Sequence, residues 1–170
     1  MSTFEHKKEA PKEVRCKVVT VSDTRDKETD KSGKLMIRLL EEAGHVISDY
    51  EIVKDEGSLI RQAVLKGCEN PGIDAVLTNG GTGIALRDVT IETVRQLFDK
   101  EMDGFGELFR MLSYTEDIGS AAILSRAAAG TVQNKAVFST PGSSGAVRLA
   151  MNKLILPELG HIVRELRKDL

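Results

Sequence analysis

The sequence of 170 residues predicts an α/β fold that is built on a mostly parallel sheet. Short apolar runs rich in β-branched residues alternate three times with segments whose apolar residues recur at helical spacing. This alternation is typical of strand–helix–strand units, which place neighbouring strands parallel. The length suits one domain with a substantial core.

The N-terminal segment differs from the rest of the chain. Residues 1–13 are polar and charged, with Pro11 near the end. We expect a loose arm there, or an arm that becomes ordered only on a neighbouring subunit. Residues 14–170 are then expected to form the single domain.

The first half of the domain is predicted to alternate between strand and helix. Ser32, Ser58 and Thr90 are expected to start the three helices, because a hydroxyl side chain satisfies free N–H groups of the first turn. Gly44 and Gly67 are expected to end the first two helices. The resulting elements are strands at residues 16–22, 46–53 and 73–78, and helices at residues 32–44, 59–66 and 91–98.

The second half is predicted to contain more helix than strand. Pro157 should start or kink the final helix, which is expected to end near Lys168. A further long helix is expected to begin after the Pro-Gly-Ser-Ser-Gly segment at residues 141–145. The other expected elements are helices at residues 105–112 and 120–128 and two short strands at residues 131–132 and 136–138.

The segment after the third predicted strand is the most informative part of the chain. Gly80, Gly81, Thr82 and Gly83 form a loop whose glycines can bring backbone N–H groups close to an anion. Asp88 follows five residues after the last glycine. A carboxylate beside an anion site is favourable when a cation lies between them, which indicates phosphate chemistry with a metal. A glycine-rich turn without a function is the alternative.

Four polar segments leave the carboxyl ends of predicted strands, where open parallel sheets bind ligands. Each segment is rich in glycine, hydroxyl or carboxylate residues. The last segment precedes a helix, so its N–H groups suit an anion, and it is equally consistent with a capped helix start at Ser143 or Ser144. The four segments are residues 22–25, 54–56, 79–88 and 140–145.

Composition argues against several classes of protein. The net charge of -2 and the absence of Trp give no basic or stacking surface for nucleic acid. We find no run long enough to span a membrane and no signal peptide, so we expect a cytoplasmic protein. The histidines His6, His45 and His161 share no metal-ligand spacing and are expected to be surface or packing residues.

Two common nucleotide-binding motifs are missing. A dinucleotide fingerprint requires glycines after the first strand, where this chain has Ser22, Asp23 and Thr24. The Walker A loop requires Gly-Lys followed by Ser or Thr, which does not occur.

Several short motifs together resemble one known family. They lie at residues 20–25, 30–33, 53–56, 78–83, 87–90, 104–110, 118–119, 124–127 and 141–143. The sequence from about residue 14 to the final helix resembles the MoaB/MogA molybdenum cofactor biosynthesis proteins, which are related to the G domain of gephyrin. The motif spacing is more similar to the MoaB branch. The resemblance implies a three-layer αβα sandwich with a mostly parallel sheet, the molybdopterin-binding fold of this family.

The resemblance also implies a reaction. ATP, with Mg²⁺, would adenylylate the terminal phosphate of molybdopterin and release pyrophosphate. Because the nucleophile is already an anion, this reaction requires positioning and charge neutralisation more than a strong base. A trimer or hexamer is implied, with other molybdenum cofactor assembly proteins as further partners. The alternatives are a non-catalytic molybdopterin carrier or scaffold and, more weakly, a structural partner of assembly proteins.

Residue roles follow from the same resemblance. Asp55 and Asp88 are the implied catalytic residues, which hold or orient Mg²⁺. Both could instead be acids that stabilise helix starts, and Arg126 could be a solvated helix residue or a subunit contact. The implied substrate- and nucleotide-binding residues are Ser22, Asp23, Thr78, Gly80, Gly81, Thr82, Gly83, Glu107, Ser125, Arg126, Pro141, Gly142, Ser143 and Ser144.

Overall fold

The computed structural model describes residues 2–170 and confirms the α/β class. Within that range, one sheet has the strand order β2-β1-β3-β6-β5-β4. Neighbouring strands among β2, β1, β3 and β6 are parallel, whereas β5 pairs antiparallel with β6 and β4 with β5. The strands are β1 Arg15–Val21, β2 Val46–Val53, β3 Ala75–Asn79, β4 Lys100–Glu101, β5 Ala128–Val132 and β6 Lys135–Thr140.

Helices cover both faces of the sheet and complete the predicted three layers. Alternate residues of β1 point to opposite faces: Cys16 and Val18 belong to one apolar cluster, and Val19 and Val21 to the other. The first cluster contains α2, α5, α6 and α7, and the second contains α3 and α4. The helices are α1 Thr3–Glu9, α2 Lys31–Glu42, α3 Gly57–Glu69, α4 Thr90–Leu97, α5 Asp103–Glu116, α6 Ser144–Ala150 and α7 Leu156–Arg167.

The predicted start of the first domain helix was wrong in its capping residue. Asp30 caps α2 by accepting the Gly33 N–H at 3.0 Å. Ser32 is buried inside the helix and donates to the Asn79 side chain at 2.7 Å. The hydroxyl that suggested a cap therefore connects the helix to the end of β3.

The predicted end of the next helix was also wrong. Helix α3 begins at Gly57, so Ser58 lies inside it, and it continues past Gly67 to Glu69. A Cβ atom at Gly67 would lie 2.6 Å from Cγ2 of Val76. This glycine therefore serves close packing of the helix against β3 rather than helix termination.

Thr90 does not cap α4 through its side chain. It is the first residue of that helix, and its hydroxyl donates to the Gly80 carbonyl at 3.0 Å. Its N–H donates to the Gly81 carbonyl, also at 3.0 Å. Thr90 therefore anchors the glycine loop to the helix.

The helix predicted at residues 120–128 was wrong. A 3-10 helix covers Gly119–Leu124, and Ala128 and Ala129 belong to β5. A Cβ atom at Gly130 would lie 2.5 Å from the Phe98 ring and 2.6 Å from the Lys100 carbonyl oxygen of β4, so close packing selects this small residue. Burial in the sheet overrides the helical preference of alanine. The short strand β4, which pairs with β5, was not predicted.

The N-terminal segment is not a loose arm. Ser2 and Glu5 form a reciprocal capping box at the start of α1. Helix α1 packs on α7 of the same chain, where Lys7 forms an ion pair with Glu158. Glu9 forms a second ion pair with Arg164 at 2.7 Å. The polar residues of this segment are thus partly explained by contacts within the chain.

Pro157 lies in the first turn of α7, as predicted for a start or kink. The turn before it, Met151–Ile155, is π-helical, and the Leu156 N–H bonds to the Met151 carbonyl five residues back. Proline has no N–H for the regular helical bond, which accounts for the local irregularity. None of the helices in residues 2–170 is long and apolar enough to cross a membrane.

Candidate functional site

A crevice of about 570 Å³ lies at the carboxyl ends of β1, β3 and β6. We call it the carboxyl-end crevice. It brings together most of the predicted site residues, from segments far apart in sequence. Its lining comprises Val21, Ser22, Asp23, Thr24, Arg25, Asp55, Gly80, Gly81, Thr82, Gly83, Asp88, Ile118, Ala121, Leu124, Ser125, Arg126, Pro141 and Gly142.

Four predicted site residues lie outside this lining. Thr78 is fully buried, and its hydroxyl donates to Ser139 at 2.8 Å. Glu107 lies on α5 beside a separate small pocket. Ser143 caps α6 by accepting the Ala146 N–H at 3.2 Å, and Ser144 is exposed in its first turn. The structure does not join these four residues to the crevice.

Six lining residues were not predicted as site residues, and one of them, Val21, is the last residue of β1. Two of them, Thr24 and Arg25, directly follow β1 and could have been found from their place after a strand end. Ile118, Ala121 and Leu124 come from the 3-10 segment. That segment was predicted as part of a helix, so its contribution to a wall of the crevice was not expected.

The glycine loop is fixed by the protein itself. Gly80 has φ of +96°, and a Cβ atom there would lie 2.2 Å from the Val21 carbonyl oxygen. Gly81 has φ of +67°, and its Cβ would lie 2.3 Å from the Thr90 hydroxyl. Glycine is therefore required at both positions by packing against β1 and α4, before any ligand is considered.

Arg126 holds the same loop from its carbonyl side. Its guanidinium donates to the carbonyls of Thr82 at 3.0 Å, Gly83 at 2.8 Å and Asp88 at 3.2 Å. It also forms an ion pair with Glu92. Arg126 is thus neither a solvated helix residue nor simply a residue that faces a ligand: it positions the loop backbone.

The N–H groups of the loop contrast with its carbonyls. Across residues 2–170, no protein atom accepts a hydrogen bond from the N–H groups of Gly81, Thr82 or Gly83. Three consecutive N–H groups at the edge of a crevice match the backbone concavities that bind anions. The loop therefore offers donors to a ligand while its carbonyls are engaged elsewhere.

Three carboxylates line the crevice, those of Asp23, Asp55 and Asp88, and they differ in their contacts with the rest of the chain. Arg87 forms a two-pronged contact with Asp23, at 2.6 and 2.9 Å. This contact, supported by the Asp55 N–H, lowers the pKa of Asp23 to about 2. Asp88 accepts the Ala85 N–H at 3.0 Å, which closes a turn before α4.

Asp55 is the carboxylate of the crevice whose surroundings raise its pKa. A hydrogen bond from the Asp23 backbone and the charge of Arg87 favour the ionised form but only partly offset the opposing effects. Partial burial, followed by the neighbouring charges of Asp23 and Asp88, raises its pKa above the usual range. A bound cation would relieve this repulsion.

A buried polar network connects the strand ends and the helix α2 next to the crevice. Arg25 donates to the Gly142 carbonyl at 2.9 Å and to the Ser32 hydroxyl, and thereby joins two segments of the lining. Thr20 donates to the fully buried Asp30 at 2.6 Å, and the Asn79 amide donates to Thr20 at 3.0 Å. Such satisfied networks hold the strand ends in one arrangement.

Comparison with known proteins places this geometry in a family. Residues 17–161 match the family described as a probable molybdopterin binding domain. The chain is 72% identical over 169 residues to molybdenum cofactor biosynthesis protein B of Bacillus subtilis, covering 99% of each chain.

Solved structures agree with the sequence comparison. A crystal structure of molybdenum cofactor biosynthesis protein B is 70% identical and superimposes with a TM-score of 0.90, covering 93% of this chain and 98% of that one. The tungsten cofactor synthesizing protein MoaB from Pyrococcus furiosus is 41% identical, with a TM-score of 0.83 and coverage of 94% and 100%. The resemblance carried by the sequence motifs is therefore confirmed: this chain belongs to the MoaB/MogA family of molybdenum cofactor biosynthesis proteins.

Proposed function

We propose that this protein acts in molybdenum cofactor biosynthesis as a Mg²⁺-dependent molybdopterin adenylyltransferase. The relatives named molybdenum cofactor biosynthesis protein B support the role in the pathway. The transfer step itself rests on the carboxyl-end crevice. ATP and molybdopterin are its proposed substrates, in the cytoplasm.

One observation carries the proposal. The unengaged N–H groups of the glycine loop lie beside the Asp55 carboxylate, whose pKa is raised by burial and by neighbouring acids: a Cβ atom at Gly81 would be 3.0 Å from Asp55 Oδ1. N–H groups that bind an anion can share a crevice with a carboxylate when a phosphate binds to the N–H groups and a cation binds to the carboxylate. This combination is what a phosphate-transfer site requires.

The residues present fit Mg²⁺. Mg²⁺ prefers oxygen ligands and typically uses one or two carboxylates plus waters and substrate phosphates. Asp55 and Asp88 would hold it, because Asp23 is already paired with Arg87. When bound, Mg²⁺ would neutralise charge on the phosphate groups.

The proposed transfer needs no strong base. An oxygen of the molybdopterin phosphate attacks the α-phosphorus of ATP, the bond to the β-phosphate breaks, and pyrophosphate leaves with its electron pair. The role of the chain is to bind a phosphate at the Gly81–Gly83 N–H groups and to keep that loop in place through Arg126. Ile118, Ala121 and Leu124, in and next to the 3-10 segment, form an apolar part of the lining.

A non-catalytic carrier remains the second candidate, and one feature favours it. The cations that line the crevice, Arg25 and Arg126, are both bonded to backbone carbonyls. Within residues 2–170, no arginine of the lining is therefore free to bind the triphosphate of ATP with its whole guanidinium group. A single phosphate of molybdopterin suits the three N–H groups better than a nucleotide would without its metal.

An oligomer is part of the proposal. Exposed apolar side chains occur on α5, at Leu108, Met111 and Tyr114, and on the 3-10 segment that packs on α5, at Ile123. Burial of this surface in a trimer or hexamer would remove apolar area from water. Light scattering tests this directly, and a monomer at micromolar concentration would contradict it.

The decisive experiment is a pyrophosphate-release assay with ATP and Mg²⁺, in the presence and absence of molybdopterin. We expect release only when molybdopterin is supplied. Fluorescence titration of molybdopterin, run in parallel, separates the two candidates. Tight binding without pyrophosphate release would replace the transferase with the carrier, and absence of binding would overturn both.

A further inference from the structure

A second group of ligand-type side chains lies far from the crevice, between the two ends of the chain. His6 on α1 and His161 and Glu165 on α7 each offer one nitrogen or oxygen atom, and these atoms lie within 4.8 Å of one another. We call these three residues the α1–α7 cluster. All three side chains are half-buried. This cluster was not predicted, because His6 and His161 are distant in the chain.

The spacing within the α1–α7 cluster suits a small metal ion. Nδ1 of His6 lies 3.3 Å from Oε1 of Glu165. Ligand atoms about 2.0–2.1 Å from a tetrahedral zinc ion are separated by roughly 3.3–3.4 Å. The two imidazole rings are tilted by 59° with centroids 5.8 Å apart, so they are not stacked. His161 and Glu165 are four residues apart on α7 and therefore share one face of that helix.

A fourth residue orients one of the histidines. Nδ1 of His161 lies 2.9 Å from Oε2 of Glu158. Histidines that bind metals typically direct one ring nitrogen to a carboxylate and use the other for the metal. This contact leaves Nε2 of His161 as the available ligand atom.

The charges around the cluster leave one carboxylate oxygen for the metal. Lys168 donates to Oε2 of Glu165 at 3.0 Å, whereas Oε1 is on the side of His6. Arg164 also approaches Oε1, at 3.3 Å, and forms a shorter ion pair with Glu9 at 2.7 Å. A metal would therefore compete with Arg164 for Glu165, and Glu9 would retain that guanidinium.

We propose that the α1–α7 cluster is a Zn²⁺ site that fastens the N-terminal helix to the C-terminal helix. Two imidazoles and one carboxylate are ligands typical of zinc, whereas Mg²⁺ prefers oxygen ligands alone. The site differs from the proposed magnesium site in donor type and in its place in the fold. Its role is structural: the metal links two helices that are otherwise joined mainly by exposed ion pairs.

Zinc titration of the tag-free full chain against a chelating indicator tests the proposal. The variants are His161→Asn, which retains a polar group near Glu158 but removes Nε2, and His6→Gln. The matched control is His45→Asn, because Nδ1 of His45 only accepts the Val14 N–H at 3.0 Å and an amide oxygen can replace it. Wild type and control are expected to bind one zinc ion per chain.

We expect each cluster variant to lose at least about tenfold in zinc affinity, on the scale seen when metal-site residues are removed. Zinc should also raise the melting temperature of the wild type and the control, but not of the variants. Melting without zinc confirms that each variant is folded. Equal zinc affinity in wild type and both variants, or absence of zinc binding at micromolar concentration, would overturn the site. So would zinc binding that is lost in Asp55→Asn and retained in His161→Asn.

Discussion

The pKa of a carboxylate is shifted in opposite directions at the two ends of the sheet. At the amino end, Asp74 is 6% exposed and contacts Arg15 at 3.0 Å and Arg167 at 2.7 Å. Burial alone would raise its pKa, but these contacts hold the pKa below the usual range. At the carboxyl end, Asp55 has no such partner, and burial with neighbouring acids raises its pKa.

This difference indicates that Asp74 stabilises the fold, whereas Asp55 is available to bind a ligand. Asp74 receives its cations from β1 and α7, and it thereby connects three elements. Asp55 retains an unfavourable interaction with Asp23 and Asp88 that the Asp23 backbone and Arg87 relieve only in part. Groups whose pKa is perturbed in this way cluster at functional sites. The comparison predicts opposite effects when each acid is neutralised.

The largest expected effect is on turnover. Asp88→Asn and Asp55→Asn should each lower the rate of pyrophosphate release by at least about a hundredfold, on the scale of about 3 kcal/mol lost with a preorganised charged group. Molybdopterin binding without metal should change little, or improve. Asp169→Asn, a change of the same type at an exposed C-terminal position, is the control. Normal turnover in both crevice variants would show that these acids serve only the loop structure.

The next effect is on stability at the amino end. Asp74→Asn should lower the free energy of unfolding by about 2 kcal/mol at pH 7, because two arginines lose a buried partner but can still reach water. Since the pKa of Asp74 is lower when folded, this contribution is present above its unfolded pKa and disappears as pH falls through the folded pKa. Urea unfolding at several pH values measures it, and unchanged stability at pH 7 would remove the contrast with Asp55.

The fold was predictable where an apolar run had both the composition and the length of a buried strand. The strands β1, β2, β3 and β6 were found because buried parallel strands appear as apolar runs. The strand predicted at residues 131–132 is the end of β5, whereas the start of β5 at Ala128 was included in a predicted helix, since alanine favours helix locally and only packing in the sheet decides otherwise. Helix α1 was missed because its stability depends on contacts with α7, which is distant in sequence.

The sequence predicts which segments meet at the site better than it predicts the contacts of each residue. The edge of the sheet where parallel strands end is fixed by topology, and Asp55, Asp88 and the glycine loop line one crevice at this edge. The roles of Thr90 and Arg126 depend on three-dimensional contacts with the loop backbone. Asp23 was expected to face a ligand, but Arg87, which is remote in sequence, neutralises it.

The third prediction concerns the arginines of the two ends. Arg126 bonds to the loop carbonyls as well as to Glu92, whereas Arg15 bonds to the buried Asp74, so removal of Arg126 should affect binding more than stability. Arg126→Gln should weaken molybdopterin binding about tenfold and lower the free energy of unfolding by about 1 kcal/mol. The control is Arg95→Gln, which removes a surface ion pair with Glu101 on the neighbouring strand. A large loss of stability with normal binding would make Arg126 a purely structural residue.

The smallest expected effect gives the sharpest contrast with Asp74. Asp55→Asn should raise the free energy of unfolding at pH 7 by about 0.5 kcal/mol, a value reduced by solvent screening because Asp55 is only partly buried. The sign follows from the pKa, which is higher in the folded chain than in the unfolded chain. The penalty is therefore present above the folded pKa and vanishes as pH falls below the unfolded pKa, where the carboxyl is neutral in both states.

Melting with Mg²⁺ tests whether charge repulsion causes the expected gain in stability of Asp55→Asn. If Asp55 is destabilised by unrelieved charge, Mg²⁺ should raise the melting temperature of the wild type and leave Asp55→Asn nearly unchanged, so that the difference between them shrinks. A gain caused by better packing of the amide would persist at every Mg²⁺ concentration and at low pH. A destabilised Asp55→Asn would mean that the carboxylate serves the fold, as Asp74 does, and the distinction between the two ends of the sheet would fail.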